Sequence, residues 1–355
     1  MRYLAVLALV AGALVGAGLA QPPAGGTDRV VYTPKKGAAP KSEDGELKID
    51  AAGVKVVVGG KVSAAVTLPD VIRTFPLDIP ALTQAEVNPL FSKETGREWD
   101  AARAGYEGLR EKYKANPPER LRRWLAFRIA YTTTRAADDT EADKGWKDKA
   151  EAGVKLLTDY LADYPTGWEA WAATRTAARV SHELGKSEAA ARLWAKEARA
   201  PDLTPDLRVE AAYQEADALV RAGRFPEAAG KAAEALPKAA PGAPKERLNL
   251  IVLAAKAAES NPLEGAAAVE AEVGKTKDAA VRAAGFALAA ELYLAAKKPR
   301  EAMWALLWVE VVYNQDKEEV AKALARLAEV FKLLGDDERE RGYQDRMRRN
   351  RGLLL

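Results

Sequence analysis

The sequence of 355 residues contains no cysteine and only one histidine, His182. The lack of cysteine excludes disulfide bonds, thiolate catalysis, cysteine-ligated zinc and a lipidated cysteine behind a signal peptide. His182 stands between Ser181 and Glu183. Adjacent residues of a helix point in different directions, so these three side chains cannot form a relay of nucleophile, base and orienting acid. We therefore predict no enzymatic activity, no metal site and no other cofactor.

An excess of one charge is also missing, and so is a phosphate-binding loop. Basic residues number 54 and acidic residues 51, which gives a net charge of +3. This balance is typical of solvated helix surfaces of mixed sign and does not indicate a nucleic-acid partner. The glycine pairs Gly25-Gly26 and Gly59-Gly60 do not join a strand to a helix, so neither is predicted to bind phosphate.

The first 20 residues combine one early arginine with an apolar run that ends in small residues. This pattern predicts a secretory signal peptide, cleaved between Ala20 and Gln21. The alternative is an uncleaved membrane anchor, because the apolar run is about 18 residues long, the lower limit for a membrane span. In either case we expect a periplasmic or secreted protein, with membrane contact only if this segment is retained.

The next three segments differ in pattern. Frequent proline and glycine in residues 21–44 predict a disordered linker. In residues 45–70, apolar residues alternate with polar ones on both sides of Gly59-Gly60, which predicts a small β-hairpin element. The prolines of residues 71–97 predict an extended connection. An isolated hairpin is marginally stable in water, so we expect the β element to pack on the helical domain or to pair with a strand of a partner.

Residues 98–349 contain a recurring helical unit. In residues 216–236, one helix ends at Gly223 and a second helix runs back from the turn, with small residues where the two helices must touch. Five turns align at the anchor positions Gly185, Gly223, Asn261, Lys297 and Gly335, at spacings of 38, 38, 36 and 38 residues. Alanine stands seven residues before each anchor, and five residues after the first four of them. Such a period predicts a solenoid, because a single helix pair cannot bury its apolar face alone.

This unit resembles the tetratricopeptide repeat family. The alanine before the turn, the glycine at the turn and the alanine after it match that family best in residues 212–240, and the resemblance extends over 119–349. The resemblance implies an all-α fold, a right-handed superhelical solenoid of antiparallel helix pairs, which here follows the small β-hairpin element. The usual repeat has about 34 residues, so the pitch of the superhelix is not carried over to these longer repeats.

The resemblance also implies a binding surface. In such solenoids the first helix of each pair lines the inner groove, through residues ten, six and three positions before the turn anchor. Counted from Gly185 and Gly223, these offsets give the candidate binding residues Arg175, Arg179, His182, Tyr213 and Asp217, together with Val220. Two arginines one helical turn apart suit a carboxylate or another anion, and Tyr213 offers a flat apolar contact. The alternative is that both arginines pair with Glu210 or Asp217 of the adjacent repeat.

The family's carboxylate-binding version uses lysine and asparagine at such positions, and this chain has neither there. That specific binding of a peptide terminus is therefore not carried over. The resemblance predicts an exported scaffold that binds a protein or peptide partner through the inner face of the solenoid. The alternative is a structural component of a cell-envelope or glycan-associated assembly that contacts its partners through the N-terminal β element.

Two pairs of tryptophans lie at helical spacing. Trp168 and Trp171 are three residues apart, and Trp304 and Trp308 are four apart. Each pair belongs either to the core between repeats or to an exposed aromatic ledge that binds peptide or sugar. The solvent exposure of the four side chains distinguishes these interpretations.

Overall fold

The computed structural model describes residues 27–34, 39–50, 53–66, 71–77, 79, 82–140 and 145–351. The proposed signal peptide, residues 1–20, lies outside the described residues. Within the described part, five strands are followed by fourteen helices, which pack as consecutive antiparallel pairs. This arrangement confirms the predicted fold of helix pairs behind a small N-terminal β element. None of the described helices is long and apolar enough to cross a membrane.

The N-terminal sheet has five antiparallel strands in the order β4-β3-β2-β1-β5. The strands are β1 Asp28–Tyr32, β2 Lys41–Asp50, β3 Gly53–Val58, β4 Lys61–Val66 and β5 Val71–Pro76. The predicted hairpin is β3 and β4, joined at Gly59 and Gly60, which have φ of 56° and 79°.

The strand boundaries correct the sequence prediction in two places. β1 and the first residues of β2 lie in the segment predicted as a disordered linker, and β5 lies in the predicted extended connection. Proline density suggested irregular chain in both. However, Pro34 and Pro40 fall between β1 and β2, and Pro76 is the last residue of β5. Prolines at strand ends interrupt no hydrogen bonds inside the sheet.

The helices occupy almost all of the chain from residue 84 onward. They are α1 Gln84–Thr95, α2 Trp99–Lys112, α3 Glu119–Asp138, α4 Trp146–Asp163, α5 Trp168–Glu183, α6 Ser187–Glu197, α7 Pro205–Arg221, α8 Phe225–Ala235, α9 Ala243–Ala258, α10 Pro262–Val273, α11 Ala279–Ala295, α12 Pro299–Leu307, α13 Lys317–Leu333 and α14 Asp337–Arg351. A short 3₁₀ turn, Leu236–Lys238, follows α8, and a π-helical segment, Trp308–Val312, follows α12.

Helix α1 occupies most of the remaining residues that were predicted to form an extended connection. Pro89 lies inside this helix. A proline inside a helix removes one backbone hydrogen bond, and for that reason the sequence pattern argued against a helix here. The start of α1 is stabilised by a capping box, in which the backbone N–H of Thr83 donates to Glu86 Oε2 at 2.9 Å.

All five predicted anchors lie in the turns between paired helices. Gly185, Gly223, Lys297 and Gly335 all adopt the left-handed conformation, with φ of 72°, 74°, 59° and 72°. Asn261 does not. Its φ is −156°, and its side chain accepts a hydrogen bond from the Leu263 backbone N–H at 3.0 Å, as the N-cap of α10. Asn261 therefore stands in the turn as the N-cap of α10, with Pro262 as the first helical residue, and a side-chain cap takes the place of the left-handed backbone there.

The repeating alanines lie where the helices of a pair touch. All nine are buried, namely Ala178, Ala216, Ala254, Ala290 and Ala328 before the turns and Ala190, Ala228, Ala266 and Ala302 after them. A small side chain at these points lets two helix backbones approach closely. This contact explains why alanine, rather than a larger apolar residue, recurs at this period.

The sheet docks on the helices through Thr74 of β5. The indole N–H of Trp124, on α3, donates to the carbonyl oxygen of Thr74 at 2.8 Å. The indole N–H of Trp168, on α5, donates to its hydroxyl oxygen at 3.1 Å. Arg120 of α3 also pairs with Asp28 of β1 at 2.5 Å. The β element therefore packs on the N-terminal end of the helical domain, which was one of the two predicted possibilities.

The solenoid curls until its C-terminal part meets its middle. Lys322 of α13 donates to Gln214 Oε1 at 3.1 Å and to Asp217 Oδ2 at 3.0 Å, both on α7. Arg175 of α5 forms an ion pair with Glu318 of α13. These partners are separated by more than 100 residues of sequence. The inner groove between the first helices of the pairs is therefore closed on one side by α13.

One buried carboxyl group makes the stability of this fold depend on pH. Glu197 of α6 is 5% exposed and accepts a hydrogen bond from the Thr174 hydroxyl at 2.8 Å. Burial raises the pKa of Glu197 from its ordinary value of 4.5 to about 7, and the charge of Asp202 acts in the same direction. The folded protein thus holds this proton more tightly than the unfolded chain does. The resulting stabilisation is complete below about pH 4.5 and is lost as the pH rises through about 7.

We expect Glu197→Gln to stabilise the protein at pH 8 by about 1–3 kcal/mol, because glutamine stays neutral where glutamate must ionise in the core. The difference should shrink at pH 5, where the buried carboxyl is already protonated. Urea unfolding of both proteins at the two pH values measures it. Glu188→Gln, at an exposed position of the same helix, is the control. A gain of equal size at both pH values would contradict the assignment.

Candidate binding site

A cavity of about 530 Å³ lies on the inner face of the curled solenoid. It is bounded by β5, the first three helices, α5, α6, α7 and α13. The described part of its wall carries five aromatic side chains, namely Trp99, Phe127, Tyr131, Trp168 and Trp194. It also carries the cationic side chains Arg73, Arg128, Arg135, Arg175, Arg179, Arg221, Lys322 and Arg326, and the carboxylates Glu94, Glu183, Glu318 and Glu329. The wall is thus aromatic and predominantly cationic.

The structure brings three of the predicted binding residues, Arg175, Arg179 and His182, to the wall of this cavity. Tyr213 and Asp217 lie beside it, buried at 4% and 6% exposure, in contact with Lys322. The repeat register therefore gave residues that lie at or beside one cavity, and their role in binding stays a prediction. It did not reveal which of these groups are already engaged by neighbouring side chains.

Arg179 is fixed in a buried network. Its guanidinium donates to Asp138 Oδ2 at 2.9 Å and to Glu183 Oε1 at 2.8 Å. Asp138 also accepts a hydrogen bond from Arg135 at 2.7 Å. Burial alone would lower the pKa of Arg179, but the charges of Asp138 and Glu183 outweigh it and raise that pKa. Arg179 is consequently a structural cation rather than a free anion-binding group.

His182 is half-buried and neutral. Its Nδ1 lies 3.3 Å from the Ser187 hydroxyl oxygen. Burial lowers the pKa of His182 well below its ordinary value, and the nearby charge of Arg221 lowers it further. At neutral pH this side chain offers a hydrogen bond and no positive charge.

Asp217 is the centre of the contact between α7 and α13. Its Oδ2 accepts hydrogen bonds from Arg221 Nε at 3.2 Å and from Lys322 Nζ at 3.0 Å. Burial acts to raise the pKa of Asp217, but the charges of Arg221 and Lys322 outweigh it and hold that pKa well below its usual range. Lys322 also donates to Glu319 Oε1 at 3.0 Å. Burial raises the pKa of Glu319.

The ring of Tyr213 is covered by cations on α9 and α13. The guanidinium of Arg247 lies 4.3 Å from the ring centroid, and the ammonium of Lys322 lies 5.9 Å from it. This tyrosine contributes to packing between helices. It presents no free face to a ligand in the cavity.

Arg175 differs from these residues because its side chain is 38% exposed. Its partner Glu318, on α13, is also 38% exposed. The sequence had offered Glu210 or Asp217 as partners of Arg175 and Arg179. Pairing does occur, but with Glu318 for Arg175 and with Asp138 and Glu183 for Arg179. The return of α13 to the middle of the chain, which brings Glu318 to Arg175, has no signature in the repeat pattern.

Several cavity residues were missed by sequence reasoning. The groove offsets, if counted from Gly335, give Ala325 and Glu329, and both line the cavity. The repeat register was therefore sufficient to predict that part of the wall. Arg73 is on a strand that the sequence did not predict, and Arg128 is on α3, which has no anchor of its own in the repeat alignment. Neither residue had a sequence signal.

The two tryptophan pairs have opposite environments. Trp168 and Trp171 are 7% and 4% exposed and belong to the core. Trp304 and Trp308 are 64% and 46% exposed and form a ledge on the outer surface. Trp308 stacks on Phe286 with ring centroids 5.6 Å apart. The exposed fractions therefore assign Trp168 and Trp171 to the core and Trp304 and Trp308 to the surface, and binding of peptide or sugar at the second pair stays a prediction.

Within the described residues, no group of histidine, aspartate and glutamate side chains is arranged to hold a metal ion.

We expect Lys322→Met to lower the free energy of unfolding by about 3–5 kcal/mol, because it leaves the buried carboxylates of Asp217 and Glu319 without their shared cation. Urea unfolding followed by circular dichroism measures this loss. Lys332→Met, at an exposed position of the same helix, should change the value by no more than about 0.5 kcal/mol. Similar losses for the two variants would contradict the role of Lys322 in joining α7 and α13.

Comparison with known proteins shows similarity at the level of structure. No family model matches the chain, and no curated protein matches it. The chain is similar to the crystal structure of a tetratricopeptide repeat protein from Parabacteroides merdae ATCC 43184, with 14% identity and a TM-score of 0.44, over 72% of this chain and 88% of that chain. The helix pairs described above pack on their neighbours in sequence, as the units of a helical repeat do.

Proposed function

We propose that this protein is an exported scaffold that binds a partner protein by taking a short anionic segment of it against Arg175 on the inner face of the solenoid. The observation that carries this proposal is the 530 Å³ cavity with an aromatic and cationic wall. A space of this size holds a small ligand or a few residues of a chain, and not a folded domain. Helical repeats commonly present such concave surfaces to their partners.

Arg175 is the cation best suited to exchange partners. An ion pair whose two side chains are more than a third exposed is weak, because water competes for both charges. A carboxylate of a bound segment could therefore replace Glu318 on the guanidinium at small cost. Arg179 and Lys322 lack this freedom, since their carboxylate partners Asp138, Asp217 and Glu319 are buried.

A photo-crosslinking amino acid at Ala172, which lines the cavity one turn from Arg175, tests this proposal. The same group at exposed Glu188 reports on the outer surface. We expect partner adducts at position 172 and none at 188. Adding Arg175→Gln should reduce the adducts severalfold at low salt and less at high salt, where screening already weakens the attraction.

The matched control is Arg192→Gln, which removes an exposed arginine on α6. It should leave the adducts at position 172 unchanged. Equal capture by the Arg175→Gln protein at low salt would show that Arg175 does not recognise the partner. Circular dichroism of each variant excludes a change in helical content as the cause.

The export part of the proposal rests on residues 1–20, with their apolar run and small residues before Gln21. We expect the mature protein to begin near Gln21 and to be found in the periplasm or outside the cell. N-terminal sequencing of the protein from each cell fraction measures this. Full-length protein in the cytosol would overturn the export assignment.

A second candidate function is contact with an envelope or glycan-associated assembly through the N-terminal sheet. Strand β4 is at the edge of this sheet, and Val62 on it is 59% exposed. An exposed edge offers backbone groups to which a strand of a partner can bind. Deleting residues 53–66, which removes β3 and β4, separates the two functions. If this deletion abolishes partner capture, including the adducts at position 172, and leaves the helical content intact, contact through the sheet is favoured.

A further inference from the structure

Arg73 of β5 differs from the other cations of the cavity wall. The other seven, namely Arg128, Arg135, Arg175, Arg179, Arg221, Lys322 and Arg326, each pair with a carboxylate. Arg73 makes no ion pair within the part of the chain that the structure describes, and its guanidinium lies 4.5 Å from the centroid of the Phe91 ring. Burial lowers the pKa of Arg73, and the charge of Arg128 lowers it further.

Arg128 is the neighbour of Arg73 at this end of the cavity. Its guanidinium lies 5.6 Å from the centroid of the same Phe91 ring. Both guanidinium groups are therefore close to one aromatic ring. Arg128 is 3% exposed and pairs with Glu94, which also accepts a hydrogen bond from the Tyr106 hydroxyl at 2.8 Å. The Nε of Arg128 is buried and has no hydrogen-bond partner among the described residues.

The charges at this end do not balance. Arg73 and Arg128 contribute two positive charges, and Glu94 contributes one negative charge. An uncompensated charge that is partly removed from water is costly, and an anion that enters the cavity would remove that cost. A single negative charge restores neutrality, whereas a doubly charged phosphate would leave an excess negative charge in the same place. A carboxylate also matches the geometry of a guanidinium group, which donates two parallel hydrogen bonds.

The rest of the cavity indicates the body of the ligand. Close to Arg128 the wall is formed by aromatic rings, among them Tyr131, whose centroid lies 5.4 Å from the guanidinium. Trp99 and Phe127 line the same cavity. The volume of about 530 Å³ is within the range of small-molecule sites. We propose that this end of the cavity binds a small organic monocarboxylate with an apolar or aromatic body, whose carboxylate is held by Arg73 and Arg128.

This inference concerns the same cavity as the proposed function but other residues, on β5 and α3 rather than at the Arg175–Glu318 pair. Calorimetric titration of the full chain with 3-phenylpropionate tests it, and neutral 3-phenylpropionamide is the matched probe. We expect one-to-one binding of the acid, and binding of the amide at least tenfold weaker. Equal affinity for the two compounds, or no binding of the acid at millimolar concentration, would overturn the proposal.

The variant Arg73→Gln removes the unpaired charge without breaking an ion pair. It should bind 3-phenylpropionate at least tenfold more weakly than the unmodified protein does. Arg73→Lys keeps the charge but loses the two parallel hydrogen bonds, so its affinity should lie between those of Arg73→Gln and the unmodified protein. Arg192→Gln on the outer surface should bind as the unmodified protein does. Unchanged affinity in an Arg73→Gln protein with normal circular dichroism would show that Arg73 is not part of a site.

Two further probes test the class of ligand. Inorganic phosphate should bind more weakly than 3-phenylpropionate, and tighter binding of phosphate would contradict the assignment of a single negative charge. An N-acetylated tripeptide with a free C-terminus carries the same carboxylate on a peptide. If this tripeptide binds more tightly than 3-phenylpropionate, the small-molecule assignment is wrong and the site recognises a chain terminus. Partner capture in the Arg175→Gln protein does not bear on any of these outcomes.

Discussion

A lysine on the cavity wall joins two distant parts of the chain. Lys322 of α13 lies between Asp217 on α7 and Glu319 on its own helix; both carboxylates are buried, and the lysine side chain is 14% exposed. Its ammonium neutralises carboxylates that would otherwise be charged in a medium of low polarity. A solenoid of helix pairs needs only contacts between neighbours to fold. Here a contact between non-neighbouring pairs fixes how tightly the superhelix curls.

The closure also divides the arginines of the inner face into two groups. Arg179 is bound by Asp138, which is 1% exposed. Moving Arg179 would therefore leave this buried carboxylate with one fewer partner. Arg175 and Glu318 are more exposed to solvent and can separate at lower cost in free energy. Sequence position alone does not distinguish these two arginines, which are one helical turn apart. Their different burial results from the helices that surround them.

The sequence was informative wherever a local pattern determines structure. Alanine at a fixed distance from each turn predicted the contacts within helix pairs, and the five anchors predicted the turns between them. The repeat pattern failed to distinguish Asn261, which caps α10 with its side chain, from the glycines, which turn with a left-handed backbone. Local sequence patterns also failed at α1, where Pro89 is tolerated inside a helix that tertiary packing supports.

For the candidate site, the repeat register gave Arg175, Arg179 and His182, and all three line the cavity. The ion-pair partners were not predictable, because Asp138 and Glu318 approach α5 from elements that are distant in sequence. Arg73 was not predictable either, since its position depends on a strand that pairs with β1 across more than 40 residues. Charge neutrality inside a protein is a property of tertiary structure and leaves no periodic signal.

Thr74 has a consequence for where this protein can be divided. The indole N–H groups of Trp124 and Trp168 both donate hydrogen bonds to this one residue of β5. A chain that began at α2 would lose both acceptors and leave two buried donors without partners, each at a cost of about 1–3 kcal/mol. The sheet and the first helix pairs are therefore a single cooperative folding unit. The change from strand to helix along the sequence marks no domain border, and a shortened form of the protein has to retain β5.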